Sequence, residues 1–120
     1  MSITRNSIPL DHLIAPNSAM SLGPVSRKIR AETLYSLLNN GWVEITYRNG
    51  NGQPLTRLAT RNPAIVRHYA GDEELQALRL SDHYTSSILY YDYARGGIRS
   101  FNTDNVFEIS IPAECPEIAH

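Results

Sequence analysis

The chain has 120 residues and a formal net charge of −1, with 42% apolar and 19% charged residues. That balance fits one globular domain better than a disordered chain or two domains, and the near-neutrality excludes a histone-like binder resting on bulk positive charge. At this length roughly two thirds of the unfolded chain's surface can be buried, so one modest core is expected.

The single Cys115 has no intramolecular partner, and no apolar run is long enough for a membrane span or a secretory signal. The expected setting is therefore cytoplasmic, with no membrane as partner. Charge is segregated along the chain. Arg27, Lys28, Arg30, Arg48, Arg57, Arg61 and Arg67 face only two acids, Glu32 and Glu44, whereas Asp72 to Glu117 holds nine acids and three arginines. Of the eleven basic residues ten are Arg, whose planar fork suits phosphate, carboxylate and base edges.

Residues 1–24 are rich in Ser, Asn and Pro and predict an extended arm, which either stays loose or lays Ile3, Ile8, Leu10 and Leu13 across the domain. Ser26 is an N-cap candidate, and Ile29, Thr33, Leu34, Leu37 and Leu38 recur at helical spacing up to Asn39-Asn40-Gly41. This predicts an amphipathic helix whose Arg27, Lys28, Arg30 and Glu32 face solvent or a partner. From Trp42 the period changes to two, giving a strand over Trp42 to Tyr47, a turn at Asn49-Gly50-Asn51-Gly52 and a returning strand from Leu55 to Thr60, ended by Asn62-Pro63.

Residues 63–82 are ambiguous. Ala64 to Tyr69 suits a strand or a short helix, and Asp72 to Leu78 suits a capped helical turn or an acidic insertion. Ser87 to Tyr93 predicts a strand, which Ala94-Arg95-Gly96-Gly97 turns into Ile98 to Phe101. A polar turn at Asn102 to Asn105 then leads to a last strand, Val106 to Ile111, stopped by Pro112. The expected fold is mainly β with one N-terminal helix. It is a small SH3-like or Sm-like β-barrel of about five strands within residues 25–112, between the arm and a C-terminal tail at 113–120.

A family resemblance rests on Val43-Glu44-Ile45-Thr46-Tyr47, the Gly-containing turn, Arg57, Asn62-Pro63, Tyr91-Asp92, Gly97, Arg99-Ser100-Phe101, Asp104-Asn105 and the closing apolar strand. Across about residues 42–111 this pattern resembles WYL-type domains, above all the short, Sm-like, stand-alone relatives found in bacteriophages. The resemblance implies an SH3-like barrel that binds a nucleotide or nucleic acid and regulates, with no catalytic activity. If the protein is phage-encoded, its place is the host cytoplasm. Two departures stand out: the Trp-Tyr-Leu triplet is replaced by Ile88-Leu89-Tyr90-Tyr91, and the basic residue after the final Asp is Asn105.

Three segments compete as binding surface. In the second strand Arg57, Ala59 and Arg61 alternate with Leu58 and Thr60, so two guanidiniums on one face can hold phosphate or carboxylate; Asn62 adjoins them. Arg99, which the resemblance places at a recurrent family position, precedes Asn102, Asp104 and Asn105 and either pairs with Asp92 or Asp104 or meets a ligand. Tyr47, Tyr90, Tyr91 and Tyr93 form the third set; Tyr91 and Tyr93 share a face opposite Tyr90, and an exposed one can stack a base. Tyr47 and Arg48 complete the candidates.

His12, His68, His83 and His120 lack ligand spacing, so no metal and no cofactor is expected. No Walker loop, nucleophile elbow or carboxylate pair is present, and no enzymatic activity is expected. Two functions remain in view. One is nucleic-acid or nucleotide binding through the Arg and Tyr face; the other is a protein-interaction module docking on a host protein such as transcription machinery or an anti-phage defence effector. Homo-oligomerisation is a further partner expectation.

Overall fold

The structure is a computed structural model and describes residues 7–10 and 26–116. Ile3 and Leu13 of the arm and residues 117–120 of the tail lie outside this set. Six strands and three helices follow in order: β1 (Ser7–Pro9), α1 (Arg27–Asn40), β2 (Val43–Arg48), β3 (Pro54–Thr60), α2 (Pro63–Ala70), α3 (Asp72–Leu80), β4 (Ser87–Asp92), β5 (Gly97–Asn102) and β6 (Val106–Ser110). A 3-10 turn at Thr103–Asn105 links the last two strands.

The helix α1 forms as its cap and spacing predict. Ser26 accepts from the Ile29 amide at 3.3 Å, and Ala31, Leu34 and Leu38 make its buried stripe. Its last carbonyls, which have no helical partner, are met from β3. Thr60 Oγ1 donates to Gly41 O at 2.8 Å and the Arg61 amide donates to Leu38 O at 2.9 Å. The β2–β3 turn also closes as predicted. Asn49 Oδ1 accepts from the amides of Asn51 and Gln53, and Gly52 takes φ +78°, which a side chain would strain.

The ambiguous stretch 63–82 holds two helices, Pro63–Ala70 and Asp72–Leu80, which corrects the expectation of a single helix. Asn62-Pro63 ends β3 and at once starts α2: Asn62 Oδ1 accepts from the Ile65 amide at 3.1 Å, and Pro63 supplies a preset φ where no amide donor is needed. Gly71, at φ +93°, breaks the chain between helices. Asp72, Glu73 and Glu74 then occupy the first turn of α3, where negative charge favours the helix dipole.

All strand pairs are antiparallel in one sheet of order β1-β6-β2-β3-β4-β5. Its end strands do not pair with each other, so where a β-barrel of about five strands is expected the structure has a six-stranded sheet that does not close. β1, part of the arm, pairs Ile8 with Ile109 and carries the fully buried Leu10 into the core. Helices cover both faces. On the inner face α1 packs on Val43, Ile45, Ala59, Ile88, Tyr90, Phe101, Val106 and Ile109; on the outer face Val66 of α2 and Leu75 and Leu78 of α3 pack with Trp42 and Tyr91. Alternation along β4 therefore sends Ile88 and Tyr90 one way and Leu89 and Tyr91 the other, and both directions are apolar.

Candidate functional site

The inner face is covered by α1 over only part of its length. Toward its open end, Tyr47 on β2 stands opposite Leu55 on β3, Arg57 follows two residues later on the same face, and Tyr90 on β4, itself buried in the core cluster, stands opposite Arg99 on β5. β3 and β4 are registered only at Ala59↔Asp92 and Thr60↔Tyr91, with one further bond from the Tyr93 amide to Leu58 O at 3.1 Å. The first half of β3 consequently lacks a β4 neighbour. There a depression of about 600 Å³ opens, lined by Tyr47, Leu55 and Arg57 on one side and Tyr90, Asp92, Arg95 and Arg99 on the other.

Aromatic packing builds its inner end, where the Phe101 ring lies 5.8 Å from Tyr47 and 5.3 Å from Tyr90. Burial first, and then the neighbouring Tyr47, push the Tyr90 phenol well above the ordinary tyrosine range, so its hydroxyl remains a neutral donor. That hydroxyl reaches Asp92 Oδ2 at 3.5 Å. Asp92 is 1% exposed, accepts from the Arg95 amide at 3.1 Å and lies 3.8 Å from Arg57 Nε. The buried carboxylate thereby anchors the β4–β5 turn and holds Arg57 at the rim. Arg95 and Arg99 are exposed, and neither side chain has a hydrogen-bond or ion-pair partner among the described residues.

Of the predicted residues, the fold brings Tyr47, Arg57, Tyr90 and Arg99 together. The others serve elsewhere. Arg61 does not share the site: it is 3% exposed, spans α3 and β4 by donating to Leu78 O at 2.9 Å, Ser81 Oγ at 3.3 Å, Leu89 O and Asp82, and lies over the Tyr35 ring. Strand alternation stops at Thr60, so the expected shared face of Arg57 and Arg61 does not extend to Arg61. Asn62 is the α2 cap described above and also donates to Asn39 O at 3.0 Å.

Tyr91 is buried in the outer cluster, stacked 5.8 Å from Tyr69, and Arg48 lies 4.9 Å over Phe107 and donates to Gly52 O. Asn102 accepts from the Asp104 amide at 2.9 Å and so caps the 3-10 turn in which Asn105 is exposed. Asp104 pairs with Arg27, not with Arg99, through Arg27 Nε at 3.0 Å; the hydrogen bond to that guanidinium holds the carboxyl below its ordinary range. Arg30 donates to Val106 O and Thr103 O, so the basic start of α1 is joined to the β5–β6 turn and does not stand free in solvent.

Arg95 and Asp92 were outside the candidate set. Arg95 is marked in the sequence only by its place in the β4–β5 turn; Asp92 belongs to the resemblance pattern and is an expected partner of Arg99, whereas in the structure it pairs with Arg57. Among the described residues no group of three or more His, Cys, Asp or Glu is placed to hold a metal ion, and no helix is long and apolar enough to cross a membrane. Comparisons with protein-family models, with curated proteins and with solved structures return no match.

Proposed function

We propose that this chain is a small regulatory binding module that takes nucleic acid or a nucleotide at the uncovered end of its inner sheet face, without catalysis. The observation that carries the reading is the convergence of Arg57, Arg95 and Arg99 with Tyr47 and Tyr90 on one depression in which Asp92 is the sole carboxylate lining it. In a chain of net charge −1 this local excess comes from placement, since composition supplies none. Guanidinium forks match phosphate oxygens, and the half-buried Tyr47 offers a hydroxyl and a ring face, while Tyr90 is buried beneath them.

The order β6-β2-β3-β4-β5, with the last strand beside the first, supports an SH3-like or Sm-like, partly open barrel extended by β1. On the WYL-type resemblance, the reading extends to a stand-alone phage regulator acting in a host cytoplasm. The test is fluorescence anisotropy with a single-stranded oligonucleotide from about 50 to about 200 mM salt. Affinity is expected to fall with a log–log slope of about −0.7 per phosphate contact, and Arg99→Ala to remove about one contact. Salt-insensitive binding, or none, rejects the reading.

A second reading rests on another observation. Among the described residues β5 pairs on one side only, so its six residues present a backbone edge to which an extended segment of a host protein or of a second copy can add a strand.

A further inference from the structure

The arrangement of charge at the uncovered end of the inner face goes further than a preference for anions. Three guanidiniums come from three separate places: Arg57 from β3, Arg95 from the β4–β5 turn and Arg99 from β5. They line one depression from three elements and not from successive positions of one strand. A row of cations tracks the successive single charges of a strand's backbone, whereas a ring of them concentrates its field on one point.

Against them stands only Asp92, buried behind the rim, engaged with the Arg95 amide and 3.8 Å from Arg57. Tyr47 and Tyr90 add hydroxyls that carry no charge, Tyr90 because its burial resists ionisation. Three positive charges less one negative leave an excess of two. A phosphodiester supplies one negative charge and two free oxygens. A phosphomonoester carries about −1.5 to −2 at neutral pH and has three strong acceptor oxygens, one for each fork.

Beside the cations, Leu55 and the ring of Tyr47 give the depression an apolar wall, and its size of about 600 Å³ suits a small-molecule site. We propose that this site selects a terminal phosphomonoester carried on a nucleoside, with Arg57, Arg95 and Arg99 around the phosphate. The inference rests on the nucleic-acid or nucleotide reading above and narrows it. A free mononucleotide and the phosphorylated end of a single strand share this chemistry.

The experiment is calorimetric titration of the full chain with two matched pairs. Adenosine 5′-monophosphate is compared with 3′,5′-cyclic adenosine monophosphate, which has the same base and sugar but a diester. A short single-stranded oligonucleotide phosphorylated at its 5′ or 3′ end is compared with the same strand ending in hydroxyls.

The expected result is about tenfold or greater preference for the monoester. Discrimination within the mononucleotide pair alone supports a free nucleotide as ligand, and discrimination within the strand pair supports a strand end. Arg95→Ala, on an exposed turn outside the core, is expected to abolish the preference while the circular dichroism spectrum is unchanged. Arg99→Lys, which keeps charge and loses the fork, is expected to reduce it. Equal affinity within both pairs overturns the monoester inference and leaves the broader reading standing. Absence of binding by all four probes removes both.

Discussion

The Arg61 guanidinium donates into the space between α3 and β4, and its side chain is 2% exposed while that of its acidic partner Asp82 is 64% exposed. Most of its value lies in the carbonyls of Leu78 and Leu89, which are left without this donor when it is removed. Arg61→Ala is therefore expected to destabilise the fold by about 3 kcal/mol, whereas Asp82→Asn costs under about 1 kcal/mol because its carboxylate is already solvated. Urea denaturation of the two variants checks the asymmetry. Equal losses would show that the ion pair, and not the carbonyl contacts, carries the residue.

Tyrosine titration supplies a second test at this scale. Burial is the first cause raising Tyr90, Tyr35 and Tyr91 above the ordinary value of 10.0. A group raised on folding binds its proton more tightly in the native state, so the stability it contributes is complete below about pH 10 and is lost as pH rises through the folded value. Of the seven tyrosines, these three are expected to ionise late, in step with loss of the folded circular dichroism signal. Phenolate absorbance that rises in one step near pH 10 on a protein still folded would contradict the placement.

Elements with one apolar face, such as α1, and hairpins with Asn-Gly or Gly-Gly turns were legible because cap, period and turn chemistry agree locally. β2 to β6 fall within a residue or two of their expected limits. The stretch 63–82 was not legible, for a reason seen in α2: it has eight residues, and only Val66 is buried, so there are too few turns for a period to show. Asn62 illustrates how an element boundary can be mistaken for a site. Asn62→Ala is expected to cost about 1 kcal/mol through the lost α2 cap, with no change in ligand affinity, as measured by thermal denaturation beside the anisotropy titration.

The arm tests the same scale. Its β1 segment adds an edge to β6 and buries Leu10 completely, so removing residues 1–10 takes away part of the core as well as a surface strand. Leu10→Ala is expected to destabilise by about 3 kcal/mol in urea denaturation. A truncation that folds with undiminished stability would mean that β1 is dispensable to the core.

At the scale of the whole molecule, the sheet carries a helical layer on each face, and the candidate site exists because one of those layers stops short. The core cluster under α1 takes in Val43, Ile45, Ala59, Ile88 and Tyr90, with Tyr47 packed at its edge, and leaves Arg57 and Arg99 beyond it. The limited β3–β4 register then provides the space between them. Composition had shown that bulk charge could not bind an anion. The tertiary structure brings three of the ten arginines to line one depression and places Arg61, which the strand pattern makes equivalent to Arg57, in the interior.

What the sequence determined by itself is local: strands from period two, α1 from its cap and stripe, turns from Asn and Gly, one domain from length and apolar content. These follow from interactions between residues a few positions apart, and such interactions are written directly in the order of the chain. The open ends of the sheet, the second helical layer, the arm as an edge strand and the meeting of Arg57 with Arg95 and Arg99 were decided only by tertiary structure. Each depends on which distant segments pair and how far their register runs, and that choice is made by burial of the whole apolar surface at once.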